Sequence, residues 1–356
     1  MGVLSGMVWN RLTELPHPVV QERRCINCFR RHNCTACADV CPEQVMQPGG
    51  KVESWSSCTD CQHCVTACPT RAIGPSEQRL QRLMTLRTGE EERLWLGCDR
   101  SGRENDLSVD CLCGMCWEEL AYLSFFRRLV IDLAPCGGCE KTECRRLLGE
   151  QLCILRSFLG QERFSRRVVL VYEDEAEAKP RQELSRRDLF QQGAKLSKNG
   201  IESLLRQAPM MNPEELKLDG LSLRSLLHRQ MERSGEVFYW TVPKVSGACN
   251  GCESCVKSCP TQALRLSGDG KWLVLDPGHC TNCGGCSIAC TKRRITGTET
   301  VGLRSFAPVA LAEIHKITCR ICGREMRAAT SNGMCGECLR RRMAEAAQRN
   351  RRERGE

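Results

Sequence analysis

The amino-acid sequence predicts an α+β protein of several domains: two compact cysteine-rich modules flank a small α/β domain and a helical linker, and a ribbon follows at the C-terminus. Three observations carry this prediction. Two stretches contain cysteines at repeated short spacings, the segment after the first alternates between strand and helix patterns, and two cysteine pairs occur near the end. The predicted boundaries are 1–78 and 244–300 for the modules, 79–175 for the α/β domain, 176–243 for the linker and 301–356 for the ribbon and its basic tail.

Cysteine accounts for 29 of the 356 residues, a density typical of either a disulfide scaffold or a metal-loaded protein. Disulfide frameworks belong mainly to short secreted domains, whereas this chain is long and shows no apolar signal stretch after Met1. No run approaches the length of apolar sequence that crosses a bilayer. We therefore expect reduced, metal-bound thiols in a cytoplasmic protein, with no membrane insertion.

The second module contains the run C-x₂-C-x₂-C-x₃-C-P, and the same cysteine spacing recurs 31 residues later with Thr291 in place of the proline. Three thiols at this spacing let a short loop surround one face of an iron–sulfur cube, while the fourth is carried to a neighbouring cube. The proline fixes φ and lacks an N–H, which suits a sharp exit of the chain. A four-cysteine zinc site is the alternative, and the doubled run argues against it.

These two runs resemble those of the bacterial two-cluster ferredoxins, whose fold is a pseudo-symmetric α+β module that holds a pair of [4Fe–4S] clusters. The resemblance implies that each cluster takes three cysteines from one run and the fourth from the other. It assigns one cluster to Cys249, Cys252, Cys255 and Cys290. It assigns the second cluster to Cys259, Cys280, Cys283 and Cys286.

The second half of the first module has the same regular spacing, at Cys58, Cys61, Cys64 and Cys68. The two modules also share a Cys-Pro-Thr segment that begins at Cys68 in one and at Cys259 in the other. The first module is therefore similar to the ferredoxin module as well. The resemblance implies two further [4Fe–4S] clusters, which makes four in the chain.

The first half of this module departs from the regular spacing, because it offers five thiols where four ligands are needed. One assignment takes Cys25 and Cys28 with Cys37, which places an insertion inside the motif. The other takes Cys34 and Cys37 with either Cys25 or Cys28, which places the insertion after the first ligand. In both assignments Cys37 and Cys68 bind this cluster. In both, Cys41 binds the neighbouring cluster, whose other ligands are Cys58, Cys61 and Cys64, and one thiol of the first half is left unused.

Residues 93–172 alternate between strand and helix patterns, which predicts a small parallel sheet with crossover helices. Strands are expected over 94–97, 129–133 and 168–172. Helical spacing of apolar residues covers 117–125 and 148–159.

Several cysteines of this region lie just beyond the carboxyl ends of predicted strands, where open α/β sheets place functional groups. The layout resembles the cysteine-rich domain of hydrogenase delta-type subunits, and the resemblance implies a further iron–sulfur cluster. The expected ligands are Cys98, Cys111, Cys136 and Cys139. A structural zinc ion and unused thiols are the alternatives. Cys153 falls within a helical apolar pattern and is predicted to lie in the core.

Near the C-terminus, Cys319, Cys322, Cys335 and Cys338 form two C-x₂-C knuckles at the spacing of a zinc ribbon. A rubredoxin-like iron site uses the same ligands. Residues 307–356 contain no Phe, Trp or Tyr to build the core of that fold, and this favours zinc.

The formal net charge of +9 would by itself favour nucleic-acid binding. Sixteen thiolates around four cluster cores, and four more around one zinc ion, would bring the loaded chain close to neutrality. Nucleic acid is therefore not an expected partner.

The leading hypothesis is a multi-cluster electron-transfer protein of anaerobic metabolism, which passes single electrons as a subunit or carrier of a larger oxidoreductase or hydrogenase-type enzyme. One alternative is a reductase whose active site is the cluster of the middle domain, and another is a redox-sensing regulator with a zinc ribbon. The chain has no G-x-G-x-x-G after a strand and no phosphate-binding loop, so no organic cofactor is expected.

Overall fold

The computed structural model describes residues 16–27, 33–87, 91–172, 221–315, 317–326 and 333–354. Cys28, one of the candidate ligands, and the part of the predicted linker over 176–220 lie outside these residues. The chain divides into two compact units, Met1–Tyr239 and Trp240–Glu356. Both contain helices and strands, which confirms the α+β class. Among the described helices none is long and apolar enough to cross a bilayer.

The first unit begins with elements that surround its first cysteine block. They are β1 (Val19–Val20), α1 (Ala36–Asp39), α2 (His63–Ala67), β2 (Ile73–Gly74) and α3 (Glu77–Leu86). The α/β region follows with β3 (Arg93–Cys98), β4 (Leu107–Val109), α4 (Trp117–Ser124), β5 (Arg128–Asp132), α5 (Ala134–Gly137), α6 (Thr142–Leu159), α7 (Gln161–Arg167) and β6 (Val168–Val171). After the undescribed segment comes α8 (Ser222–Ser234).

The predicted parallel sheet is confirmed, with the strand order β4–β3–β5–β6 and every pairing parallel. Its edge strand β4 was not predicted, because it has only three residues and a single buried side chain, Leu107. Both faces of the sheet are covered, since Leu94 and Leu129 are fully buried and Trp95 lies in a separate buried cluster with Val130. The carboxyl ends of β3 and β5 therefore lie at one edge of a rigid platform.

Helix α6 follows the expected apolar spacing, with Leu148, Leu155 and Leu159 buried. The prediction for Cys153 was wrong, because this thiol is exposed. It lies two positions from Leu155, which rotates it to the solvent side of the helix. The described part of the predicted helical linker contains α8, which ends before Gly235, whose positive φ of 65° suits a glycine cap.

A buried network of ion pairs joins the first cysteine block to the α/β region. Arg71 donates to Glu118 at 2.9 Å, and Arg224 of α8 donates to the other oxygen of the same carboxylate at 3.1 Å. Beside them Arg79 of α3 donates to Glu119 at 2.7 Å. Both carboxylates are only 2 % exposed. Charges this well buried require partners, so the network fixes how α2, α3 and α8 pack on α4.

The second unit begins within β7 (Phe238–Val245). It continues with α9 (Ser254–Lys257), β8 (Leu264–Leu266), β9 (Trp272–Leu275), α10 (Gly285–Ala289), β10 (Ile295–Leu303), β11 (Val309–Glu313), β12 (Ile317–Thr318), β13 (Glu325–Met326) and α11 (Gly336–Arg354). Strand β9 lies between β11 and β8, antiparallel to both. Strand β7 pairs with β10, and β12 and β13 form an antiparallel hairpin.

Replacing Glu118 by Gln should lower the free energy of unfolding by about 3–5 kcal/mol, because two buried guanidinium groups lose their charged partner. The shift is measured as the midpoint of chemical unfolding, followed by circular dichroism under anaerobic conditions. Arg146→Met is the matched control, since Arg146 pairs with Glu143 and Glu150 on the exposed surface of α6. Equal midpoints for the two variants would contradict a structural role for the network.

Candidate metal centres

The three regular C-x₂-C-x₂-C loops share one backbone conformation. In each, the residue before the second cysteine and the residue after it have positive φ, between 55° and 72°. These residues are Asp60 and Gln62, Gly251 and Glu253, and Asn282 and Gly284. Left-handed residues on both sides of the central cysteine curl the chain tightly, and a short helix, α2, α9 or α10, then begins within the motif.

The fourth cysteine of each motif is followed by a turn that occurs four times among the described residues. The third residue after the cysteine has φ between 51° and 56°, and its N–H donates to the carbonyl oxygen of that cysteine. The turns follow Cys41, Cys68, Cys259 and Cys290. After the last three, the next N–H also donates to the cysteine Sγ, at 3.1–3.3 Å. Thr291, which replaces the usual proline, therefore leaves the turn unchanged.

In the second unit two cavities match the two cysteine quartets expected from sequence. One is lined by Cys249, Cys252, Cys255 and Cys290. The other is lined by Cys259, Cys280, Cys283 and Cys286. Helices α9 and α10, which follow the two loops, pack against each other.

The first unit repeats this arrangement. A cavity beside α2 is lined by Cys41, Cys58, Cys61 and Cys64. Among the described cysteines, Cys68, Cys25 and Cys34 lie close enough to Cys37 to add to the rise in its pKa that burial causes. Helices α1 and α2 pack together as α9 and α10 do.

The irregular first motif is held in place by Asn27. Its side-chain amide donates to the carbonyl oxygen of Cys34 and accepts from the Cys34 N–H, both at 2.7 Å. Cys34 thereby takes the central place in the loop, three residues before Cys37, as Cys61 does before Cys64. The grouping of Cys25 with Cys34 corresponds to the insertion after the first ligand.

The crowding of buried thiols in the quartets fits a cationic group. Burial, with added repulsion from neighbouring thiols, raises the pKa of Cys255 and of Cys286 to about 11. Burial likewise raises the pKa of Cys64, with added repulsion from Cys41, Cys58 and Cys61. Thiolates so close together are costly without a compensating charge. A cationic cluster core would supply that charge.

The middle region brings the predicted thiols into one neighbourhood. Burial, with added repulsion from Cys98, Cys111 and Cys139, raises the pKa of Cys136 to about 11. Arg100 lies beside this group, with its Nη1 at 3.9 Å from the Sγ of Cys139. A cluster held by these four cysteines stays a prediction.

A second group of side chains, which was not predicted from the sequence, is more closely spaced and has Cys111 in common with the predicted quartet. Donor atoms of His63, Cys111, Cys113 and Cys144 all lie within 4.8 Å of one another. His63 was overlooked because it lies inside a C-x₂-C loop already assigned to a cluster. The C-x-C pair of Cys111 and Cys113 was a signal in the sequence that could have indicated a second kind of site.

The ribbon cysteines also converge, with the donor atoms of all four within 4.8 Å of one another. The Cys335 N–H donates to the Sγ of Cys319 at 3.2 Å, and the Cys338 N–H donates to the Sγ of Cys335 at 3.4 Å. Gly333 has φ +69°, and a Cβ there would lie 2.9 Å from the Arg320 side chain. The two knuckles thus form one four-thiol site that can hold a metal ion.

Comparison with known protein families matches residues 248–294 to the 4Fe-4S dicluster domain. No curated protein and no solved structure matched the chain. The matched segment covers both cysteine quartets of the second unit. Together with the convergent cysteine groups, it supports a role in iron–sulfur electron transfer.

Proposed function

We propose that this chain is an electron relay with four [4Fe–4S] clusters, which serves a larger oxidoreductase as a subunit or as an associated carrier. The observation that carries the proposal is the closing turn that recurs after Cys41, Cys68, Cys259 and Cys290. Two of these turns belong to the segment that matches the dicluster domain. The other two have the same φ and the same hydrogen bond, which supports a second ferredoxin-type module at the N-terminus.

The ligand sets follow from the groupings of thiols. In the N-terminal module we assign the first cluster to Cys25, Cys34, Cys37 and Cys68. The second is assigned to Cys41, Cys58, Cys61 and Cys64. The two quartets of the second unit hold the third and fourth clusters, and the ribbon thiols hold zinc.

A bound [4Fe–4S] cluster accepts and releases one electron at a time. The chain contributes amide donors to cysteine sulfur, as Ala72 does to Cys68 and Ala263 does to Cys259. Such hydrogen bonds stabilise the more negative, reduced state and so raise the potential. In each module the quartets exchange one cysteine, and this places the paired sites beside each other.

The chain's partners would be redox proteins rather than nucleic acid. Nonspecific attraction of nucleic acid requires a large net positive charge on the protein. The thiolates of the loaded chain offset most of the formal charge of +9. We place the protein in the cytoplasm, where thiols remain reduced for cluster assembly.

The ligand assignment of the first cluster is tested by single substitutions. Cys34→Ser in the full chain, reconstituted anaerobically, should lose four irons and four sulfides relative to wild type, because it removes the central thiol of the loop. Cys28→Ser should lose none, since Cys25, Cys34, Cys37 and Cys68 already fill the site. Iron and acid-labile sulfide are measured chemically. The reverse pattern would assign the cluster to Cys28 instead of Cys34.

The relay itself is tested by electron exchange. The purified chain should be reduced and reoxidised by viologen-type carriers in one-electron steps, without net conversion of a substrate, as followed by stopped-flow absorbance. Cys153→Ser serves as a control, because this exposed thiol belongs to no proposed site. Steady turnover of a disulfide or small molecule, abolished by Cys136→Ser, would instead establish a reductase.

A further inference from the structure

The site formed by His63, Cys111, Cys113 and Cys144 combines one imidazole with three thiols. His63 and Cys113 are buried, and Cys111 and Cys144 are partly buried. The four residues come from three places in the chain: helix α2, the 3₁₀ turn Leu112–Gly114 with its preceding cysteine, and the first turn of α6. The four side chains therefore meet through the tertiary fold, not because they are neighbours in the sequence.

The spacing of the donor atoms distinguishes this site from the cluster quartets. Four ligands of a single zinc ion lie about 2.0–2.3 Å from the metal, which keeps them within a few ångströms of one another. A four-iron cube spreads its thiolates over four metal atoms and so needs wider spacing. Within the described residues, only this group and the ribbon cysteines bring four such ligands within 4.8 Å.

His63 gives a second, independent indication of a ligand. Its side chain is 3 % exposed, and its Nε2 is buried without a hydrogen bond of ordinary geometry. A buried imidazole nitrogen without a hydrogen bond of good geometry costs free energy, and a metal ion bound at that nitrogen would satisfy it.

The backbone segments that carry the four ligands pack closely against one another. A Cβ on Gly114 would lie 2.0 Å from the carbonyl oxygen of Cys61, so the 3₁₀ turn directly abuts the cluster-binding loop. Helix α2 contacts both this turn and α6. The imidazole and the three thiols are thus delivered by elements that already pack against one another, as a site with little freedom requires.

An acidic cavity gives the site access to solvent. It has a volume of about 340 Å³, and His63, Cys113 and Cys144 line it. Three carboxylates, those of Asp39, Glu140 and Glu143, outnumber the one lysine in the same lining, Lys141. Negative side chains around an opening favour the entry of a cation.

We propose that His63, Cys111, Cys113 and Cys144 bind one zinc ion that fastens the N-terminal module to the α/β region. A set of three thiolates and one imidazole is a common tetrahedral arrangement for structural zinc. The assignment takes Cys111 out of the cluster quartet expected with Cys98, Cys136 and Cys139. It is independent of the relay proposal, because it rests on different ligands.

The first test compares two substitutions in helix α6 of the full chain, purified anaerobically. Cys144→Ser should lose one zinc per chain while iron and sulfide stay at wild-type values, as measured by mass spectrometry of metals and by sulfide assay. Cys153→Ser should retain all three. Unchanged zinc in Cys144→Ser, or a loss of iron and sulfide instead, would overturn the proposal.

The second test keeps all four ligands intact and so remains decisive if Cys144→Ser does not fold. In Cys338→Ser, which disrupts the ribbon site, X-ray absorption at the zinc edge should show three sulfur ligands and one nitrogen ligand. Four sulfur ligands, or no bound zinc, would overturn the proposal. If instead the ribbon does not bind zinc, Cys338→Ser will keep the full zinc content of the wild type, so this result is distinguishable from failure of the His63 site.

Discussion

Seven residues can place three thiols around one cluster only if the backbone turns sharply on both sides of the middle cysteine. In the three regular loops the left-handed residues that flank Cys61, Cys252 and Cys283 meet this constraint. Only some of them are glycine; Gln62 and Glu253 adopt the same conformation at a steric cost. The inserted first motif meets the constraint differently, because the Asn27 side chain holds both backbone groups of Cys34. The positions of these thiols follow from the loops.

The N-terminal module differs from the second in being built into a larger structure. Arg71 occupies the closing turn after Cys68, and its side chain donates to the carbonyl oxygens of Val65 and Thr66 as well as to Glu118. One residue therefore stabilises the end of α2 and connects it to α4. The corresponding residue of the second module is Gln262. The proposed zinc ion would act at the other end of α2, so this helix would be anchored at both ends.

Most of the cysteine groups and the parallel sheet could be predicted from the sequence. Cysteine spacing is enforced by local backbone geometry, so the regular quartets and the ribbon knuckles were recognisable, and apolar periodicity located the parallel sheet. The His63 site was not predicted, because its ligands lie far apart in the chain and meet only through packing of α2 on α6. The carboxylates Glu118 and Glu119 were not predicted either, since a charged pair at a helix start usually indicates an exposed surface. Cys153 was misplaced because it stands among apolar residues in the sequence, whereas its position two residues from Leu155 turns it to the solvent side of α6.

The four [4Fe–4S] clusters proposed for the two modules are tested most directly by the composition of the reconstituted protein. Iron and acid-labile sulfide should each reach at least sixteen per chain, and the Mössbauer spectrum should show cubane clusters as the dominant species. A chain in which Cys255 and Cys286 are both replaced by Ser should keep eight of each, held by the N-terminal module. Eight irons in the wild-type chain, with none left in the double variant, would contradict the account.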